Sequence, residues 1–200
     1  MAEADQGERM DGRTARAIRT REAIVDACIA LVDEGDLRPT APRIAERAGV
    51  SVRSVFQHFD DLETLFAMVA GRVVGRLAQL YVTIDPSLPV EERIEQFVAQ
   101  RRTVLEAVTP IRRAAALYAP FSPAITDRLQ AGHDFLRAEI NAVFAPELGS
   151  LPPLDGEVLV DVLSTVTSWP SWENLRTFNR RSADEATRVL TRMVHMALDT

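Results

Sequence analysis

A glycine set between two short amphipathic segments constrains this chain more than any other feature. In the stretch 40–66, TAPRIAERAGVSVRSVFQHFDDLETLF, Ile44, Ala45 and Ala48 share one face at helical spacing. Gly49 supplies a backbone position able to take φ > 0, which a turn at a helix C-terminus needs. Val50 follows as an apolar plug, and Ser51 is a good N-cap for the next helix. In that helix Val55 and Phe59, four apart, face inward. Val52, Arg53, Ser54, Phe56, Gln57 and His58 are left facing outward. A short capped helix after an Ala-x-x-x-Gly turn, with Arg, Ser, Gln and His on its outer side, is the pattern of a helix-turn-helix reading head.

The rest of the 200-residue sequence bounds what such a head is attached to. The apolar share of 46% is ordinary for a globular chain. Apolar residues recur at helical rather than alternating spacing, which predicts an all-α protein. No apolar run approaches the ~20 residues of a membrane span. The N-terminus, MAEADQGERMDGR, lacks the apolar stretch of a signal peptide, and a single cysteine, Cys28, excludes an internal disulfide framework. The expected location is cytoplasmic, with no membrane partner. A net charge of −6 argues against nucleic acid when taken as a sum, but its distribution argues the other way. Every basic residue is Arg. Arg9, Arg13, Arg16, Arg19 and Arg21 share their span with one acid, Asp11, whereas the chain beyond Asp60 is acidic on balance. A basic arm on an acidic body fits a small DNA head carried by a larger domain that avoids DNA.

Start and stop signals predict about nine helices. After a polar, disordered lead-in over 1–12, a first helix runs over about 14–34, with Ile24, Cys28, Leu31 and Val32 as its stripe and Gly35 as its end. Cys28 reads as a buried structural thiol. Thr40 caps the second helix, and Asp60 or Asp61 caps a fourth over about 62–81 that ties the head to the body. The segment 85–89 is the clearest break. Beyond it, one helix opens at Ser87 or Pro89 and runs to about 108. Thr109-Pro110 opens a short one to about 118, and Ser122-Pro123 a long one to about 144. A loop covers 146–153. Asp155 caps a helix to Val166, Pro170 breaks it, and Ser182 with Glu185 forms a capping box for the last helix, to about 198. The expected division is a DNA-binding domain over 13–62 and a helical domain over 63–200 for ligand binding and dimerisation.

Residues from about 24 to 66 resemble the DNA-binding region of the TetR (tetracycline-repressor-like) transcriptional regulators. The residues carrying the resemblance are Ala27 to Gly35, Thr40, Ile44-Ala45, Ala48-Gly49-Val50-Ser51, Val55-Phe56-Gln57-His58-Phe59 and Leu65. Trp172, Leu175 and Arg176, before a capped final helix, are similar to the family's usual ending. The resemblance implies a homodimer whose two heads enter successive major grooves of a near-palindromic double-stranded operator. It also implies a body cavity for a small-molecule inducer and a dimer interface on the last two long helices. Two positions depart from the family. Phe56 stands where a Tyr usually donates to phosphate, and Leu62 where a Lys is common, so two phosphate contacts are lost.

Within that frame, Arg53 and Gln57 are the expected base readers, Arg toward a guanine edge and Gln toward adenine. Val52 is placed to meet a thymine methyl, and Ser54 and His58 to meet base or backbone. Ser51 and Thr40 are the phosphate donors at two helix N-termini; Arg43, Arg13 and Arg16 neutralise phosphates. Expected cavity residues are Phe97, Arg101, Tyr118, Phe121, His133, Trp169 and Trp172, with core filling as the alternative for the aromatics. Arg112-Arg113 reads as a solvated pair rather than an anion site. Expected interface residues are Val158, Leu159, Val162, Leu163, Val166, Val189, Met193 and Met196, with ordinary intrachain core as the alternative. No metal site is expected at His133, which lacks a second His or Cys at ligand spacing, and no cofactor is expected.

Two other classes stay open from sequence. One is a small helical enzyme, although the chain offers no Gly-rich phosphate loop, no HExxH and no G-x-S-x-G. The other is a helical adaptor for protein partners whose head no longer binds DNA. The expected class is a non-enzymatic regulator, a repressor released by a small molecule.

Overall fold

A computed structural model describes the backbone of residues 2–199 and the side chains of residues 14–199. The described chain is helical, with no strand. Ten α-helices follow in order: α1 (Ala2–Asp33), α2 (Ala41–Ala48), α3 (Val52–His58), α4 (Leu62–Ala78), α5 (Val90–Tyr118), α6 (Pro123–Val143), α7 (Ala145–Gly149), α8 (Pro153–Val166), α9 (Trp169–Glu173) and α10 (Ala183–Leu198). A 3-10 turn joins α5 to α6, and a π turn follows α9. None of these helices is long and apolar enough to cross a membrane.

The glycine turn forms as its chemistry requires. Gly49 takes φ +66 and donates to Glu46, while Val50 donates across it to Ala45 at 2.9 Å. That pair of bonds closes the last carbonyls of α2 in a left-handed cap. Ser51 then caps α3, accepting from the Ser54 backbone N–H at 3.1 Å. Val55 and Phe59 are buried in a cluster with Ile24, Cys28, Ile44, Ala45, Leu65 and Val69. Burial, and secondarily the Asp36 carboxylate, push the Cys28 thiol up to about 12, so it is an inert core group.

A second cluster fills the body. Phe97, Val98, Leu105, Ile140, Phe144, Leu163, Trp172, Leu190 and Val194 meet there from α5, α6, α8, α9 and α10. One polar knot sits at its edge. The Arg93 side chain, nearly inaccessible, donates to the carbonyls of Leu88 and Val143 and to both carboxylate oxygens of Glu147, at 2.5–2.9 Å. It thus ties the start of α5 to the end of α6 and to α7. Between the two clusters α4 packs against α1, α5 and α6, and Ile111 of α5 packs onto the head's core.

Several boundaries differ from the sequence expectation. Residues 2–12 continue α1 instead of forming a lead-in; they hold no proline, and an existing helix propagates through Ala2, Glu3, Ala4, Gln6, Glu8, Arg9 and Met10 despite two glycines and two aspartates. Pro110 lies inside a single 29-residue α5. A proline withdraws only one backbone donor, and the packing of both flanks holds the helix through it, with the Thr109 hydroxyl bonded to the Leu105 carbonyl at 2.6 Å. The expected loop at 146–153 contains α7, anchored through Glu147. Thr40 occupies the N-cap position of α2 without a side-chain bond. Asp155 lies in the first turn of α8, whose N-cap is Pro152. α4 ends at Ala78 rather than near 81.

Candidate nucleic-acid interface and internal cavity

The outer side of α3 is built by what lies beneath it. With Val55 and Phe59 locked into the head's core, helical geometry turns Val52, Arg53, Phe56 and Gln57 to solvent. Ser54 and His58 are half-buried at the margins. Phe56 leaves 49% of its surface exposed, an apolar ring presented to solvent on a helix that already has an apolar back. Ser51 spends its oxygen on the Ser54 N–H and keeps its hydroxyl proton free to donate. Thr40, with no cap bond, has both functions available at the start of α2.

The cations around this face fall into two sets. Arg53 makes no ion pair among the described residues, and Arg16 is exposed on α1. Arg21 lies 5.2 Å from the centre of the Phe59 ring. Arg43, by contrast, is paired with Asp36 at 2.6 Å, and Arg47 is paired with Glu34. The side chain of Arg13 lies outside the described residues.

Two adjoining cavities, of about 150 and 130 Å³, run between α4, α5 and α6. The inner one reaches the head and is walled by Phe66, Val73, Leu77, Ile111, Tyr118 and Leu129. The outer one is walled by Tyr81, Arg101, Leu105, His133, Leu136 and Trp169. Leu77, Val108, Arg112, Leu129 and Gly132 border both. Among the expected cavity residues, Arg101, Tyr118, His133 and Trp169 therefore line this space. Phe97 and Trp172 do not. Both are completely buried in the body's core, where the Trp172 indole donates to Glu106 at 2.8 Å. Phe121, 84% exposed on the 3-10 turn, faces outward.

The contribution of α4 was not visible in its periodicity, because its apolar face divides between the head's core and the cavity. Gly132 was the available signal. It lies in the middle of α6, and a Cβ there would meet nothing within 4 Å, so its smallness leaves room rather than relieving a clash. Arg112 is also not the solvated residue expected from its neighbour. Arg113 forks onto Glu173 at 2.9 and 3.0 Å, whereas Arg112 stands 5.2 Å from the Trp169 ring centre. Burial, then the charge of Arg101, press its guanidinium pKa down. Glu139 lies 4.0 Å from Arg101, and burial raises its carboxyl above the ordinary range despite that charge.

The expected interface residues separate by helical phase. Val158 (60% exposed), Val162 and Met196 (60% exposed) point to solvent from α8 and α10, beside exposed Leu154. Val166, Val189 and Met193 are half-buried. Leu159 and Leu163, one position on from Val158 and Val162, turn into this chain's own core, which is the place helical geometry assigns them.

Residues 24–69 match the family model described as bacterial regulatory proteins, tetR family. Comparison with curated protein sequences finds no match. Among solved structures, the chain is similar to a TetR transcription regulator from Haloarcula marismortui, at 19% identity over 90% of this chain and 96% of that one, with a TM-score of 0.66. It is also similar to a tetR-family transcriptional regulator from Streptomyces coelicolor, at 18% identity over 89% and 78% of the two chains, TM-score 0.68. A third is the multidrug binding protein EbrR complexed with imidazole, at 21% identity over 86% and 93%, TM-score 0.53. Likeness at this level of identity shows a common fold. The family match falls on the head, and the fold match extends through the body.

Proposed function

From a chain of TetR-family fold, with that family's DNA-binding region over residues 24–69, we propose that this protein is a sequence-specific transcriptional repressor that a small molecule releases from its operator. The observation that carries the reading is the outer side of α3: Arg53 and Gln57 exposed one turn apart on a short helix fixed from behind by Val55 and Phe59. Arg53 reads a guanine and Gln57 an adenine in the major groove. Ser54 and His58 flank them, Val52 meets a methyl, and Ser51, Thr40 and Phe56 seat the head against the sugar-phosphate backbone. Arg13 and Arg16 add charge from α1. Arg43 contributes only when Asp36 releases it.

The protein works as a cytoplasmic homodimer, with a DNA-binding domain over 13–62 and a ligand-binding and dimerisation domain over 63–200. Two heads bind a near-palindromic operator in successive major grooves. The outward residues Val158, Val162 and Met196 with Leu154 supply the contact between protomers, an apolar face that supports an association of this kind. The cavity between α4, α5 and α6 receives the effector. Its position against α4, the helix that joins the head's core and also packs on α5 and α6 of the body, supports coupling of occupancy to the attitude of the heads. The protein acts by binding and catalyses no reaction.

The test is a gel shift with the DNA upstream of the protein's own gene, run across a salt series. Sharp, sequence-selective retardation that weakens with salt is the expected result. Absence of any retardation at low salt overturns the reading and favours a helical adaptor.

A further inference from the structure

We propose that the effector is an apolar organic acid, with its hydrocarbon part between α4, α5 and α6 and its carboxylate on Arg112. The proposal rests on the regulator reading above and names the ligand class of its cavity.

The walls of the two adjoining cavities are mostly aliphatic and aromatic, which suits a hydrocarbon body. Apart from the two tyrosine hydroxyls, their ionisable residues are nonetheless all basic: Arg101, Arg112, Arg128 and His133, with no Asp or Glu on either wall. A lining that is apolar except for cations is complementary to an amphipathic anion. A neutral drug-like molecule would leave those cations desolvated, and a cationic one would meet like charge.

Within that set Arg128 and His133 are exposed to water and Arg101 approaches Glu139; Arg112 has neither relief, unlike the ion-paired arginines of the body. Arg93 holds Glu147, Arg102 holds Asp184, Arg113 holds Glu173, Arg137 holds Asp161 and Arg176 holds Glu106. Arg112 pairs with no carboxylate among the described residues, although it is half-buried and borders both cavities. Its contacts are the Trp169 ring and the charge of Arg101, so an incoming carboxylate would relieve an uncompensated cation. Arg101 is partly served by Tyr81 Oη and the Thr167 carbonyl, each at 3.2 Å, and by Glu139. Its buried Nε still has no partner, leaving a second donor beside the same space. A guanidinium presents its N–H groups in a fork that matches a carboxylate. The volumes of about 150 and 130 Å³ together fall near the low end of ligand sites, which fits an acid of about a dozen heavy atoms.

The experiment uses the full chain without DNA and titrates decanoate and 2-naphthoate against decanol, 2-naphthalenemethanol and decylammonium by calorimetry. The two acids are expected to bind at least tenfold more tightly than their neutral counterparts, with the ammonium weakest. Arg112→Gln is expected to lose at least tenfold in acid affinity while alcohol affinity stays within twofold, and Arg113→Gln to change neither. Acid binding should also alter the fluorescence of Trp169, which forms part of the wall. Equal binding of acids and alcohols, failure of both acids to bind, or an unchanged preference in Arg112→Gln overturns the proposal. Should that variant fail to fold, the acid-to-alcohol ratio of the natural sequence decides it. Retardation of the upstream DNA, measured on the same samples without ligand, separates the two readings: DNA bound but acids refused sinks only the effector class, and acids bound but DNA refused sinks only the regulator.

Discussion

Arg53 and Arg43 are both expected to approach DNA, yet their surroundings in the head differ. Arg53 is exposed and makes no ion pair among the described residues, whereas Arg43 is held by Asp36 at 2.6 Å. Truncating Arg53→Ala should cost roughly 1–3 kcal/mol on the operator and relax the preference at one base pair, as a competition gel shift against single-base operator variants would reveal. Asp36→Asn should act in the opposite direction. It frees Arg43 while leaving an acceptor for the Arg38 backbone N–H, so binding should strengthen on every sequence and the salt slope should steepen by about one. Phe56→Tyr returns a hydroxyl to an exposed ring and should add about 1 kcal/mol of sequence-independent affinity. These positions were legible in the sequence because their orientation is set locally, by a cap, a glycine and two inward residues. The pairing of Arg43 was not, since Asp36 reaches it from the loop before α2. The cavity role of Arg112 was hidden for a related reason: its neighbour Arg113 behaves as an ordinary surface residue, and only the packing of α5 against α6 and Trp169 distinguishes them.

Among the elements, α5 departs furthest from what its sequence suggests. Thr109-Pro110 has the composition of a helix start, yet the helix spans 29 residues, about 43 Å at 1.5 Å per residue. Local signals indicate where a helix is able to begin; burial along both flanks decides whether it does. Pro110→Ala restores the missing backbone donor to Glu106 and should stabilise the chain by about 1–3 kcal/mol, measured by denaturant unfolding. The other end of α5 carries the Arg93 knot, invisible in sequence because the prolines at 146, 152 and 153 give the stretch around Glu147 the composition of a loop. Glu147→Ala strips a buried guanidinium of its carboxylate and should destabilise by about 3 kcal/mol. Its hydrogen bonds from Arg93 hold the Glu147 carboxyl below the usual carboxylate range. A carboxyl lowered in the folded state contributes stability that is present above the unfolded value of about 4.3 and lost as pH falls through the folded one. Unfolding followed by circular dichroism from pH 6 to pH 3 should therefore show a steeper loss in the natural chain than in Glu147→Gln.

At the scale of the whole molecule, charge and packing obey different divisions. Charge separates an Arg-rich beginning from an acidic remainder, so operator binding should weaken steeply with added salt. Arg16→Ala should flatten that dependence without changing sequence preference, as gel shifts at several ionic strengths would measure. Packing does not divide at the same place. Leu65 and Val69 of α4 are buried in the head's cluster, and Ile111, from deep in the sequence of the body, rests on it. That arrangement bears on anyone hoping to splice this recognition element onto another sensor. A fragment ending near residue 62 carries every residue proposed above to read DNA but leaves part of its own hydrophobic floor behind. A working chimera would need α4 moved with the head and the host's counterpart of Ile111 rebuilt to match; without both, the transplant should melt earlier than the parent whatever its affinity for the operator.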